Sequence, residues 1–95
     1  MAQVNFSYTG QLANAAGVTD ETLDLSEDQP GLRPALDVLA ERHGDGWREL
    51  VFDDGGRIRS TLLVVIDGVQ AGGDKEALSL EGAGAVMLMT PIAGG

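Results

Sequence analysis

The sequence predicts an α+β domain: a mixed β-sheet with one main helix packed across one face. Three observations lead there. Strand-like runs stand at both ends of the chain, and one amphipathic helical stripe lies between them. The 95 residues can bury one hydrophobic core but hardly two. The expected organisation is a folded domain over residues 1–90 and a flexible tail over residues 91–95 that ends in Gly-Gly.

The first strand is read from Val4, Phe6 and Tyr8, which alternate with Asn5, Ser7 and Thr9. Gly10 and Asn14-Ala15-Ala16-Gly17 suggest a turn or loop. Thr22 to Ser26 alternates again, with Leu23 and Leu25 on one face, and pairs most simply with the first strand as a hairpin. After the break at Glu27 to Gly31, Leu32, Ala35, Leu36, Leu39 and Ala40 form the apolar stripe of the helix. Pro34 is tolerated in its first turn, where the missing N–H has no helical partner. Arg42 and His43 suit its C-terminal end, and Gly44 stands where a left-handed cap is expected.

The stretch from Trp47 to Phe52 fits a short strand or a turn of helix, and Asp53-Asp54-Gly55-Gly56 a tight turn. Arg57 to Ile66 reads as a strand whose second half is apolar on both faces, which suits a central position. Asp67-Gly68 signals a hairpin returning through Val69-Gln70. Leu78 and Leu80 lead to a turn at Gly82-Ala83-Gly84, and Ala85 to Met89 forms the last strand. The first and last strands are expected side by side in the middle of the sheet. Pro91 then stops ladder pairing and Gly94-Gly95 loosen the end.

Composition excludes several functions. There is no cysteine, hence no disulfide and no thiolate metal site; a cytoplasmic location fits this. The longest apolar run, Leu62 to Ile66, is far too short to span a membrane, and the first residues do not resemble a secretory signal. Fifteen acidic against six basic residues give a net charge of −9, which disfavours nucleic acid and anionic membranes. Docking on a basic protein surface is favoured, although solubility alone accounts for the acidity more simply.

Two features point to chemistry. The first is Gly94-Gly95. A frayed end accounts for such a pair, but not for the chain stopping directly after it. A terminal carboxylate becomes electrophilic only when its oxygen is made a leaving group, as adenylation by ATP would do. The activating enzyme must reach it through a narrow channel, which residues without side chains can thread. The second feature is the last strand. If Val86 and Leu88 face the helix, Met87 and Met89 point outward and form a partner patch, unless the segment 44–60 folds over that face.

Other candidates carry less. His43 stands alone near a helix end and suits a surface or capping role. Asp53-Asp54-Gly55-Gly56 lacks the acidic spacing of a calcium loop. Gly82-Ala83-Gly84 lacks the strand-before, helix-after setting of a nucleotide loop. Trp47 fits core packing.

The ending Val86-Met87-Leu88-Met89-Thr90-Pro91-Ile92-Ala93-Gly94-Gly95 resembles that of the molybdopterin synthase small subunit and the thiamine-type sulfur carriers. Val4 to Tyr8, Leu12 to Gly17, the helix from Leu32 to His43, and Leu63 to Ile66 before Asp67-Gly68 follow the family's order. The sequence departs from it at Gly82-Ala83-Gly84-Ala85, where relatives carry an acidic turn, and at Thr90, where they have a first proline. The resemblance implies a ubiquitin-like β-grasp fold. It implies a carrier without catalytic residues of its own, binding no cofactor. Gly95 would be adenylated by a ubiquitin-activating-type enzyme that uses ATP, then converted to a thiocarboxylate. Gly94 carries over with it, and Pro91, Ile92 and Ala93 as the positions that enter a sulfur-accepting partner such as the molybdopterin synthase large subunit. A ubiquitin-like modifier joined through Gly95 to other proteins, and a non-covalent binding module, remain the alternatives.

Overall fold

The computed structural model describes residues 2–25, 28 and 30–90. Five strands form one sheet: β1 (Ala2–Tyr8), β2 (Asp20–Leu25), β3 (Leu63–Ile66), β4 (Val69–Gln70) and β5 (Ala85–Met89). Their order across the sheet is β2-β1-β5-β3-β4. The two terminal strands are the expected neighbours in the middle. They run parallel, with Asn5 opposite Ala85 and Tyr8 opposite Leu88; every other pairing is antiparallel.

Helix α2 (Leu32–His43) crosses one face of this sheet. Its predicted stripe of Leu32, Ala35, Leu36, Leu39 and Ala40 is buried throughout. It meets Val4, Phe6 and Tyr8 of β1, Leu23 and Leu25 of β2, Val64 of β3 and Val86 and Leu88 of β5, which together form the core. Removing such side chains from water stabilises the fold by ~1.5–3 kcal/mol each.

Three expectations are corrected, and one open alternative is decided. Gly10 to Ala16 is not a loop but the short helix α1, closed by Gly17 at φ 77° and buried through Leu12 alone. One fully buried residue in seven, with three small alanines beside it, gives no readable period. The ambiguous stretch after Gly44 is the helix α3 (Asp45–Val51), which buries Trp47 and Val51. Of the long strand expected over Arg57 to Ile66, only Leu63–Ile66 is extended and paired. The preceding residues turn instead: Leu62 N–H donates to the Arg59 carbonyl at 3.1 Å and Arg59 N–H to that of Val51 at 2.9 Å. Gly44 has the expected positive φ of 92°, but its ψ of −169° is not left-handed helical. It caps α2 by donating to the Ala40 carbonyl at 2.8 Å while starting α3.

The Asp67-Gly68 hairpin is as expected. Ile66 pairs with Val69, and Asp67 and Gly68 both have positive φ, 50° and 86°. Two consecutive left-handed residues match the right-handed twist of the flanking strands. Elsewhere, one carboxylate joins three segments that lack regular pairing. Glu76 accepts from Ile58 N–H at 2.6 Å and from the Arg33 guanidinium at 3.0 Å. Arg33 in turn lies over the Phe52 ring, 4.6 Å from its centre.

Candidate functional site

The last strand is held on both sides and anchored at its start. Val86 and Leu88 have Phe6 and Tyr8 beside them on β1 and Ile66 and Val64 on β3. The Asp67 carboxylate accepts from Gly84 N–H at 3.1 Å and Ala85 N–H at 2.9 Å, while Asp67 N–H donates to the Ala85 carbonyl at 2.9 Å. The aspartate of the hairpin turn thus also fixes where β5 begins. The sequence showed it only as a turn residue. At its other end β5 closes with Met89 opposite Leu63, and Thr90 leads out of the sheet.

Strand alternation sorts β5 by face as anticipated. Val86 and Leu88 are fully buried under α2, and Met87 and Met89 lie on the opposite face. There Met87 is 38% exposed and Leu63 41%. Val65, opposite Met87, is half-buried, as is Met89. These four side chains form an apolar row over β3 and β5. The same face becomes polar across β1 and β2, through Gln3, Asn5 and Ser7 and then Asp20, Thr22 and Asp24. The segment 44–60 does not cover this face: Trp47, Val51, Phe52 and Ile58 belong to the core on the helix side. The tail residues Pro91, Ile92, Ala93, Gly94 and Gly95 lie outside the described residues.

A polar cluster on the inner face escaped the sequence reading. Glu21 sits opposite Phe6, on the side of β2 that faces α2. It accepts from the Tyr8 hydroxyl at 2.5 Å and from Arg42 at 2.7 Å, and it contacts His43 Nε2. The His43 side chain is only 8% exposed, so it is not the surface residue expected; its ring meets those of Tyr8 and Trp47 at 6.1 and 5.7 Å between centres. Burial raises the Glu21 carboxyl, but hydrogen bonds from Tyr8, Arg42 and His43 outweigh it and hold the group below the usual carboxylate range. Burial, then the bond to Glu21, pushes the Tyr8 hydroxyl far up, so it stays a donor. The available signal was an acid in register with Leu23 and Leu25, two and four residues before them on an apolar face.

Among the described residues no group of three or more His, Cys, Asp or Glu is placed to hold a metal ion. No described helix is long and apolar enough to cross a membrane.

No family model and no curated protein matches the sequence. Solved structures do match the fold. Two crystal structures of small archaeal modifier protein 1 (SAMP1) from Haloferax volcanii superpose with TM-scores of 0.79 and 0.76, at 23% and 26% identity. They cover 99% and 97% of this chain and 100% of their own. A chain from Pyrococcus furiosus described as molybdopterin converting factor subunit 1 matches at TM-score 0.69 and 20% identity, over 97% of this chain and 100% of that one. Urm1 from Trypanosoma brucei matches at 0.68 and 22%, over 98% and 95%. The fold is therefore the ubiquitin-like β-grasp. A molybdopterin converting factor subunit, the kind of protein whose ending the sequence resembles, is among these fold neighbours.

Proposed function

We propose that this chain is a sulfur carrier that reacts at the carboxylate of Gly95. A partner enzyme of the ubiquitin-activating type joins that carboxylate to AMP from ATP, releasing pyrophosphate. Hydrosulfide then displaces AMP: the C–S bond forms, the C–O bond to AMP breaks, AMP leaves with the electron pair, and the resulting thiocarboxylate passes its sulfur to an acceptor enzyme, with water restoring the carboxylate. The observation that carries this reading is the seating of β5. A central strand, paired on both sides, leads toward the Gly-Gly tail from one end of the sheet, beside an apolar row on the open face.

Each part then has a task. The paired strand holds the base of the tail so that a docked partner finds it at a fixed place. Met87 and Met89 give the partner an apolar footing that adapts to its contour. Pro91, Ile92 and Ala93 enter the partner's channel, and Gly94 and Gly95 leave room at its narrow end. The domain supplies no acid, base or nucleophile; it works as a carrier in the cytoplasm. The acceptor is a sulfur-accepting enzyme, such as the molybdopterin synthase large subunit.

The test is incubation with such an activating enzyme, ATP and a sulfur donor, followed by intact-mass analysis. The expected product is heavier by the difference between sulfur and oxygen, and its formation is lost when one alanine is added after Gly95. Sulfur loading that survives this extension overturns the proposal.

A second reading, a modifier attached through Gly95 to lysines of other proteins, is favoured by the name of the H. volcanii neighbour, a small archaeal modifier protein. Tryptic peptides from cell extracts that carry the tail on foreign lysines would select it over the carrier.

A further inference from the structure

The chain has three methionines and no cysteine, so its oxidisable sulfur is all thioether sulfur. The aromatic side chains that oxidants also attack, Tyr8 and Trp47, are buried in the core. On β5, Met87 is exposed and Met89 half-buried, both on the face opposite α2. Among the described residues, Met87 therefore offers an oxidant the most open sulfur.

The place of Met87 on that face is informative. One residue from each strand forms a row across the sheet: Asp20, Ser7, Met87, Val65 and Gln70. Met87 is its middle member and marks a border. Toward β3 its neighbours are Val65 and Leu63, and toward β1 and β2 the face is polar. The first residue on the polar side is Ser7, whose hydroxyl has no hydrogen-bond partner among the described residues. Neighbouring strands lie about 4.8 Å apart, so this donor is within reach of the flexible methionine tip. A sulfoxide oxygen on Met87 would accept from it. The polar side would then extend over β5 and leave β3 as the apolar remainder.

We propose that Met87 is an oxidation site, and that peroxide acting on its sulfur turns the apolar row polar and weakens the hold of the activating enzyme. The second half rests on the reading that this face docks that enzyme. The Met87 sulfur attacks one oxygen of hydrogen peroxide. The S–O bond forms, the O–O bond breaks, and hydroxide leaves with the electron pair. It takes the proton from the new sulfur-bound oxygen and departs as water. Sulfur is oxidised by two electrons and peroxide is reduced by two. The fold is spared, because the core side of β5 is Val86 and Leu88 and carries no sulfur. The change falls on the surface alone, where a polar, rigid group replaces an adaptable apolar one.

The test treats the full folded chain with hydrogen peroxide, which catalase then removes. Fragment masses assign the added oxygen, about 16 Da, to one methionine or the other. Met87 should be oxidised before Met89, with the urea midpoint unmoved. The treated chain is next offered to the activating enzyme with ATP and hydrosulfide. Its KM as a substrate should rise ~5-fold with kcat kept, the effect of losing one good contact at an interface. Met87→Leu, compared with its own untreated sample, should show no such rise. Oxidation of Met89 first or at an equal rate overturns the proposal. So does an unchanged KM in the treated chain, or an equal rise in Met87→Leu. The order of oxidation is read without any partner. An untreated chain that takes up no sulfur at all counts against the carrier reading instead, so the two can fail separately.

Discussion

The two faces of the sheet differ more than any two neighbouring regions of this molecule, and one strand displays the contrast. Val86 and Leu88 are sealed under α2, while Met87, between them, is 38% exposed. The inner face is filled from four strands and three helices, so its side chains have fixed neighbours. The outer face is apolar only over β3 and β5 and polar over β1 and β2. Burial of one row specifies the fold, and the other row stays open to solvent. Alternation lets five residues do both.

Substitutions can break that contrast. Phe6→Ala, which empties a fully buried site beside Val86, should cost ~3–5 kcal/mol in urea unfolding, a large share of the ~5–15 kcal/mol that holds a domain of this size together. Asp67→Ala removes the carboxylate that receives the Gly84 and Ala85 amides and should cost ~1–3 kcal/mol, with faster hydrogen exchange at those two amides. Met87→Ala on the open face should shift stability by less than ~1 kcal/mol yet weaken docking of the activating enzyme, measured by titration calorimetry. An equal loss of stability from Phe6→Ala and Met87→Ala would refute the division between the faces.

The Glu21 cluster sharpens the comparison, because it is the polar exception on the apolar side. Its carboxyl titrates lower in the folded chain than in the unfolded one, so its stabilisation is complete above the unfolded value of about 4.3. It is lost as pH falls through the lower, folded value. Between neutral pH and acid, the unaltered chain should therefore lose more stability than Glu21→Gln, as measured by chemical denaturation at each pH. Parallel curves for the two would remove Glu21 from the acid response.

Where burial repeats with a clear period, the sequence was readable. The stripe from Leu32 to Ala40 predicts α2, and the alternation of Val4, Phe6 and Tyr8 predicts β1. The outward side of Met87 follows from the same reasoning. The pattern fails where local order depends on single contacts. Helix α1 buries one leucine, and Arg57 to Thr61 looks β-forming yet turns because Arg59 bonds Val51. The Glu21, Tyr8 and His43 cluster draws on β1, β2 and the end of α2, which no local window brings together. Of the candidate site, the outward methionines were legible, whereas the second duty of Asp67 depends on a contact between residues far apart in the chain.

The parallel pairing of β1 with β5 has a consequence for folding. Those central strands close the longest loop of the fold, so their ladder is among the last contacts that folding can gain. Without β5, the pair β2-β1 and the pair β3-β4 share no ladder. One five-residue strand thus decides whether two separate hairpins become a single cooperative sheet.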